Sequence, residues 1–282
     1  MSSGLMRSAP GGEPSPYYLA PSENFSLYQG DCIELVSQLG QEEPFDLIFA
    51  DPPYFLSNGG VTCKGGRMVS VHKGDWDRSR GADGNHEFNL AWLEACQQAL
   101  SDNGTIMVSG THHTIYSIGH AMQQLGFKIL NALTWVKPNP PPNLSCRYFT
   151  HATETILWAA RDKKAKHHFN YKEMKAENGG KQMKSVWTFS PPRKAEKRFG
   201  KHPTQKPLPL LERIIRAASD PGHRVLDPFN GSGTTGIAAI RHGRRYVGID
   251  LNDAYLDLSV QRYEELVGDL PDERDLPLVA NS

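Results

Sequence analysis

The chain has 282 residues, of which 38% are hydrophobic and 9% aromatic, so it can bury a sizeable core. Its 31 basic and 31 acidic residues give a formal net charge of zero. That balance excludes a uniformly basic protein that coats nucleic acid, and the lack of an apolar run of about 20 residues excludes a membrane-spanning helix.

The charge is unevenly distributed along the chain. The segment from Arg161 to Lys206 contains fourteen Lys or Arg and four acidic residues, or about +10. This asymmetry predicts a surface that faces a polyanion, with an ordinary solvated loop as the alternative. The four cysteines are too far apart for a Cys-x-x-Cys pair. We therefore expect no metal site and a reducing, intracellular compartment.

The two ends of the chain differ from the rest in composition. Residues 1–20 are rich in Gly, Pro and Ser and lack the apolar region of a signal peptide, which predicts a disordered tail. Residues 269–282 form an acidic tail.

Strand and helix patterns alternate between these ends. Short, continuously apolar runs predict seven strands at 25–29, 45–50, 105–109, 128–135, 154–159, 223–226 and 245–249. Helical patterns lie at 32–39, 88–100, 114–125, 208–218, 234–241 and 254–267. The alternation predicts an α/β fold, a doubly wound and mostly parallel seven-stranded sheet with helices on both faces. Segments 55–85 and 137–201 break the rhythm, and we expect functional loops there.

The first candidate site follows the strand at 45–50 and reads Asp51-Pro52-Pro53-Tyr54. Ligands of open parallel sheets bind at the carboxyl ends of strands. The two prolines make an extended, stiff turn that directs acceptors outward. A carboxylate and a carbonyl beside an aromatic ring suit a planar base with an exocyclic amino group, which would stack on Tyr54. An ordinary Pro-Pro strand end is the alternative.

The second candidate site is the glycine loop after the strand at 223–226. Gly231, Gly233 and Gly236 match G-x-G-x-x-G, and Asp250 ends the next strand. This pattern is typical of dinucleotide folds, so an NAD-type oxidoreductase is one alternative, and a tight turn without a ligand is another. Residues 251–282 leave room for one helix, so we expect no second nucleotide half. Asp227 would repel a pyrophosphate but pair with an amino acid ammonium, which favours S-adenosylmethionine.

Together the two sites resemble a known family. DPPY at 51–54 and DPFNGSGTT at 227–235 are similar to the motifs of S-adenosylmethionine-dependent DNA amino-methyltransferases. The order, with the catalytic motif first, then the basic segment, HPTQKP at 202–207 and the cofactor loop, resembles the permuted β group. The resemblance runs from about residue 26 to 266. It implies a catalytic half at 21–136 with a mobile loop at 55–85, a target-recognition insert at 137–201 and a cofactor half at 202–268.

The resemblance also implies roles for individual residues. Asp51, Pro52, Pro53 and Tyr54 would be catalytic. Asp250 would hold the ribose hydroxyls, Asp31 the adenine amino group, and Lys206 would lie near the cofactor carboxylate. The full implied cofactor set is Asp31, Cys32, Asp51, Thr204, Lys206, Asp227, Phe229, Asn230, Gly231, Ser232, Gly233, Thr234, Asp250, Leu251 and Asn252. The strand at 25–29 would complete the nucleotide half from the N-terminal side.

The substrate implied by the resemblance is adenine N6 in DNA, because N4-cytosine members more often carry Ser at the position of Asp51. N4-cytosine methylation remains an alternative, as does a DNA-binding module without activity. RNA and protein substrates are further alternatives. No cysteine follows a proline, so C5-cytosine chemistry is not expected.

The target amine is inaccessible in a stacked duplex, so the base must be flipped out or single-stranded. Candidate DNA contacts lie in the two long segments: Lys64, Arg67, Lys73, Trp76, Arg78, Lys137, Asn139 and Arg147. Expected partners are DNA, a cognate restriction endonuclease and a second copy in a homodimer, with no membrane.

Overall fold

The computed structural model describes residues 14–56, 61–64, 67–70, 77–200 and 202–268, with backbone alone for 61–64 and 67–70. Within these residues the chain forms eleven strands and seven helices. The strands are β1 Tyr18–Leu19, β2 Phe25–Gln29, β3 Phe45–Ala50, β4 Val61–Lys64, β5 Arg67–Ser70, β6 Leu100–Gly110, β7 Lys128–Val136, β8 Thr153–Ala160, β9 Val186–Thr188, β10 Arg224–Asp227 and β11 Arg245–Asp250. The helices are α1 Cys32–Glu42, α2 Gly81–Ala99, α3 Ile115–Gln124, α4 Tyr171–Glu177, α5 Leu208–Ala218, α6 Thr234–Arg241 and α7 Asp253–Gly268.

The main sheet confirms the predicted mostly parallel α/β architecture but has nine strands instead of seven. Its order is β1-β2-β11-β10-β3-β6-β8-β7-β9, and the run from β2 to β6 is parallel. The seven predicted strands are all present. The additional strands β1 and β9 span two and three residues, too short for a periodic pattern to be recognised.

Helices cover the sheet on both faces. Leu47 and Phe49 pack in one core cluster with residues of α5 and α6, whereas Ile48 and Ala50 pack in a second cluster with residues of α1 and α2. Successive side chains of β3 thus enter opposite cores, which is why its sequence is apolar without alternation.

Strand pairing shows how the permuted order of motifs along the chain forms one continuous sheet. The register of β2 with β11 places Leu27 opposite Gly248, so the N-terminal strand completes the nucleotide half as predicted. The pairing of β10 with β3 places Val225 opposite Leu47. The cofactor loop and the catalytic motif therefore leave the sheet at neighbouring strand ends.

Two predicted boundaries are corrected. Residues 18–19 of the predicted tail at 1–20 form β1, which pairs antiparallel with β2, and residues 1–13 lie outside the described residues. Helix α2 begins at Gly81, seven residues before the predicted 88, because its first turns are polar and the apolar pattern starts only at Phe88. The predicted insert at 137–201 contains β8, which pairs between β6 and β7, so part of it belongs to the main sheet. Within 55–85, β4 and β5 form a hairpin. The tail at 269–282 lies outside the described residues.

Among the described residues, no helix combines the length and apolar character needed to cross a membrane.

A close contact between α1 and α2, at Gly40 and Ala99, leads to a stability prediction. A Cβ atom at Gly40 would overlap the Cβ of Ala99 and lie 2.7 Å from its Cα. We expect Gly40→Ala to lower the free energy of unfolding by roughly 1–3 kcal/mol, because the steric cost exceeds the gain in helix propensity. Urea denaturation measures the change. Gly268→Ala, at the end of α7 with nothing within 4 Å, is the matched control and should leave stability unchanged. A Gly40→Ala variant as stable as the wild type would contradict this packing.

Candidate active site

Four aspartates lie at the carboxyl ends of four adjacent parallel strands. Asp250 and Asp227 are the last residues of β11 and β10, Asp51 directly follows β3, and Asp31 lies two residues beyond β2. Such an edge is where open α/β sheets bind ligands. Its acceptors and negative charge suit a ligand with hydroxyl, amino and ammonium groups.

An open cleft of about 950 Å³ runs along this edge. It is lined by nine of the predicted cofactor residues: Asp31, Cys32, Asp51, Thr204, Phe229, Gly231, Asp250, Leu251 and Asn252. An adjoining pocket of about 280 Å³ is lined by Lys206, Asp227, Asn230, Ser232 and Thr234. Asp51 and Thr204 line both spaces, so the two are continuous at the catalytic motif.

The glycines permit the close turn between β10 and α6. Gly231 and Gly233 both have positive φ, at 52° and 69°. A Cβ at Gly231 would meet the His202 ring at 3.1 Å, and one at Gly233 would lie 2.6 Å from Ser259 Oγ. Only glycine satisfies both constraints at low cost. Gly233 itself lines neither space, so its role is in the turn.

Asp250 and Asp31 are held by backbone N–H groups at the cleft. Asp250 accepts from Gly231 N at 2.7 Å and from Asn252 N at 2.9 Å. Burial raises the pKa of Asp250 to about 6. Asp31 caps α1 by accepting from the N–H groups of Ile33 and Glu34 through Oδ1. These bonds fix the carboxylates in place while each retains acceptor capacity for a ligand.

Asp227 is almost fully buried below the glycine loop. Its carboxylate accepts from Thr235 Oγ1 at 2.6 Å and from Phe229 N at 3.0 Å. Burial nevertheless raises the pKa of Asp227 to about 7, because two hydrogen bonds do not offset its desolvation. An ammonium group brought into this pocket would stabilise the ionised form.

Some predicted cofactor residues instead hold the loop together. The Asn230 side chain is buried and bonds to Gly231 O, Ser259 Oγ and Tyr246 OH. Arg262 of α7 donates to Ser232 O and to Thr234 Oγ1. The Asn230 amide therefore already has protein partners, and its predicted cofactor contact stays a prediction.

The catalytic motif lies in a buried network of charges. Asp51 Oδ1 accepts from Tyr54 OH at 2.6 Å, and Oδ2 accepts from Lys206 Nζ at 2.5 Å. Burial raises the pKa of Asp51, although the Lys206 cation opposes this effect. Lys206 was expected near the cofactor carboxylate. Its ammonium is instead paired with Asp51, because a lysine with 6% of its side chain exposed requires a counterion.

Glu154 on β8 is the second carboxylate of this network and was not recognised from the sequence. Its Oε1 lies 2.5 Å from Lys137 Nζ, and its Oε2 lies 3.5 Å from Lys206 Nζ. It also accepts from Tyr54 OH at 3.3 Å and from Ser109 Oγ at 3.4 Å. Burial alone would raise the pKa of Glu154, but Lys206 and Lys137 outweigh it and lower the pKa to about 2.

The turn at the motif is held by a further acid that the sequence did not reveal. Asp77 is fully buried and accepts from Tyr54 N at 2.9 Å and from Leu56 N at 3.2 Å. Phe55 between them has φ of 56°, which is strained for a non-glycine residue. The Tyr54 ring is 4% exposed, so the predicted stacking face is covered in this structure.

The structure places the residues predicted to contact DNA in different environments. Lys137 was expected to face DNA, but it is paired with Glu154 and lies over the Trp135 ring at 4.8 Å. Arg78, Asn139 and Arg147 are exposed. Lys64 and Arg67 lie on β4 and β5, whose side chains are not described, and Lys73 and Trp76 lie outside the described residues. In the described part of the chain, no group of three His, Cys, Asp or Glu is arranged to hold a metal ion.

Comparison with known proteins gives one consistent result. A family model described as DNA methylase, for N6 and N4 methyltransferases, matches residues 45–261. The type II methyltransferase M2.DpnII of Streptococcus pneumoniae is 55% identical over 250 residues, which cover 88% of this chain and 92% of that protein. M2.MboI of Moraxella bovis is 49% identical over 258 residues, covering 92% and 94%.

Solved structures agree with the fold. The crystal structure of the M1.HpyAVI–SAM complex is 29% identical with a TM-score of 0.65, covering 85% of this chain and 98% of that one. The cytosine-N4-specific PvuII DNA methyltransferase has a TM-score of 0.69 at 20% identity, covering 91% and 94%, which shows a shared fold.

The buried Asp227 generates a prediction that links stability to pH. Its pKa of about 7 lies above the ordinary 3.8, so its contribution to stability is fully present below pH 4 and is lost as the pH rises through 7. Asp227→Asn mimics the protonated carboxyl group at every pH. We expect its stability relative to the wild type to increase by roughly 2 kcal/mol between pH 5 and pH 8. Urea denaturation without cofactor at both pH values measures this change.

The control for this measurement is Asp102→Asn, whose carboxylate is 98% exposed and paired with Arg161. It should show the wild-type pH dependence. If the stability of Asp227→Asn relative to the wild type is the same at pH 5 and pH 8, the pKa of Asp227 is not raised by burial.

Proposed function

Because this chain belongs to the DNA methylase family of N6 and N4 methyltransferases, we propose that it methylates the N6 amino group of adenine within a short DNA sequence. It is a DNA methyltransferase that uses S-adenosylmethionine. The observation that carries the proposal is the position of Asp51, a buried carboxylate at the junction of the cleft and the inner pocket.

The residues of the cleft fit the cofactor by chemistry. The acceptors Asp31 and Asp250 suit an adenine amino group and ribose hydroxyls, and Asp227 suits an ammonium group. The positive-φ Gly231 lets the backbone approach the ligand closely. The Asp227 carboxylate would repel a pyrophosphate, which distinguishes this arrangement from a dinucleotide site.

Asp51 acts on the acceptor amine. The bound cofactor supplies an electrophilic methyl group, and one N–H proton must leave the nitrogen as the methyl group is transferred. Asp51 accepts an N–H bond from the amine, which orients the nitrogen lone pair, and then takes the departing proton. Its burial-raised pKa favours that second role. The Pro52 carbonyl provides the second acceptor.

The preference for adenine rests on Asp51 as well. A full carboxylate binds the amino group and can also take its proton, whereas a serine hydroxyl lacks the charge. The Tyr54 ring is covered in the described conformation, so the turn must open before the base can stack on it.

DNA approaches the carboxyl edge of the sheet, and the base enters flipped or single-stranded. The segments 55–85 and 137–201 supply the phosphate contacts, with Arg78 and Arg147 among their exposed basic residues. The proposed setting is the bacterial cytoplasm and nucleoid, with a cognate endonuclease and a homodimeric state. The type II names of the relatives support the endonuclease.

The experiment that tests the proposal identifies the modified base. Purified protein is incubated with DNA and methyl-tritiated S-adenosylmethionine, and the digested nucleosides are separated. Label in N6-methyladenine is the expected result. Label in N4-methylcytosine would overturn the choice of base, and absence of label from DNA would overturn the proposed function.

Two substitutions separate chemistry from cofactor binding. Asp51→Ala should reduce kcat by at least ~10³-fold, because it removes the amine acceptor, while the cofactor Kd changes less than about threefold. Asp250→Ala should instead weaken the cofactor Kd by roughly 10- to 100-fold. Calorimetric titration and tritium transfer measure the two quantities. An active Asp51→Ala variant would show that the mechanism is wrong.

A further inference from the structure

The carboxylate that should receive the substrate amine is already occupied. Tyr54 OH lies on Asp51 Oδ1 and Lys206 Nζ lies on Oδ2, at 2.6 and 2.5 Å. A new N–H donor must share an oxygen with one of these donors, and an oxygen paired with the Lys206 ammonium is a weaker acceptor and a weaker base than one without that cation. Tyr54 OH is also 3.3 Å from Glu154 Oε2, so it too has a second acceptor within reach.

Lys206 lies between two carboxylates. Its Nζ is 2.5 Å from Asp51 Oδ2 and 3.5 Å from Glu154 Oε2, with Tyr54 OH at 3.0 Å. The side chains of all three charged residues are at most 12% exposed. A buried ammonium must keep a counterion, so any movement away from Asp51 has to end on another anion.

Glu154 is positioned to receive it. Lys137 holds Oε1 at 2.5 Å, while Oε2 faces Lys206 and Tyr54. The two carboxylates and the two lysines together carry no net charge. A shift of Nζ toward Glu154 therefore weakens its bond to Asp51 Oδ2 while the net charge of the network stays zero.

We infer that Glu154 is a positioning residue for methyl transfer, which takes Lys206 from Asp51 when the target amine arrives. The inference rests on the proposed function and deepens it. Glu154 does not contact the reacting atoms; it acts by keeping Lys206 neutralised while Asp51 binds the substrate. Without the Glu154 carboxylate, Asp51 is the only carboxylate beside Lys206 among the described residues. The substrate amine must then compete with the Lys206 ammonium for Asp51.

The first test is kinetic. Glu154→Gln keeps the shape of the side chain and removes its charge. It should lower kcat roughly 10- to 100-fold with the cofactor Kd near the wild type, and it should also lower the melting temperature because Lys137 loses its counterion. Glu154→Asp keeps the charge and should recover part of the rate. The double variant Glu154→Gln/Lys206→Met should be no slower than Lys206→Met alone, because Glu154 acts through the lysine.

The matched control is Glu177→Gln. Glu177 also pairs with two cations, Arg213 and Arg216, but it lies on α4, away from the motif. It should lower stability without changing kcat. The Glu177→Gln variant shows how much kcat changes for a given loss of melting temperature. If the fall in kcat for Glu154→Gln is no larger than its own loss of melting temperature explains on that scale, the inference is overturned. Multiplicative effects of the Glu154 and Lys206 substitutions would overturn it equally.

The second test does not depend on activity. In a crystal structure of Asp51→Asn, the neutral amide no longer holds the ammonium, so Lys206 Nζ should lie within about 3 Å of Glu154 Oε2. A lysine that remains on residue 51 would overturn the inference. If the wild type transfers no methyl group to DNA, the proposed function fails; if the wild type is active and Glu154→Gln matches it, only the role of Glu154 fails.

Discussion

Parallel pairing of β10 with β3 is the constraint on which the site depends. It joins residues far apart in the chain, with Val225 opposite Leu47, and so places the glycine loop beside the catalytic turn. Neither the catalytic half nor the cofactor half could form the site alone, because each half supplies only the aspartates at the ends of its own strands. The buried faces of β3 fix this register, since a slip of one residue would turn each side chain into the opposite core.

Burial of charge at this edge has two different consequences. Among the described residues no cation pairs with Asp227, and burial raises the pKa of its carboxyl group, so the inner pocket suits a positively charged ligand. Asp51 and Glu154 share two lysines, and the network is neutral without a ligand. The first arrangement favours binding. The second arrangement lets a hydrogen-bond donor move from one carboxylate to the other at little cost in free energy, as a catalytic site requires.

The strand ends and glycines could be predicted because their signals are local: an apolar run, then Asp51 or Asp227, then a turn. The family resemblance then supplied the cofactor and substrate. Glu154 could not be predicted, because it lies 100 residues from Tyr54 and meets it only through the antiparallel insertion of β8. The hydrogen bonds of the Asn230 side chain to Gly231 and Tyr246 could not be predicted either, because a polar residue in a motif does not reveal its partners in the fold.

The two hydrogen bonds that Asp77 accepts have a consequence for how the chain tolerates change. One side chain fixes the backbone at Tyr54 and Leu56, and thereby joins the two ends of the segment between Leu56 and Asp77. A segment closed at its base can change length or composition at a small entropic cost. Mutation can therefore alter that segment while the backbone of the catalytic motif keeps its conformation.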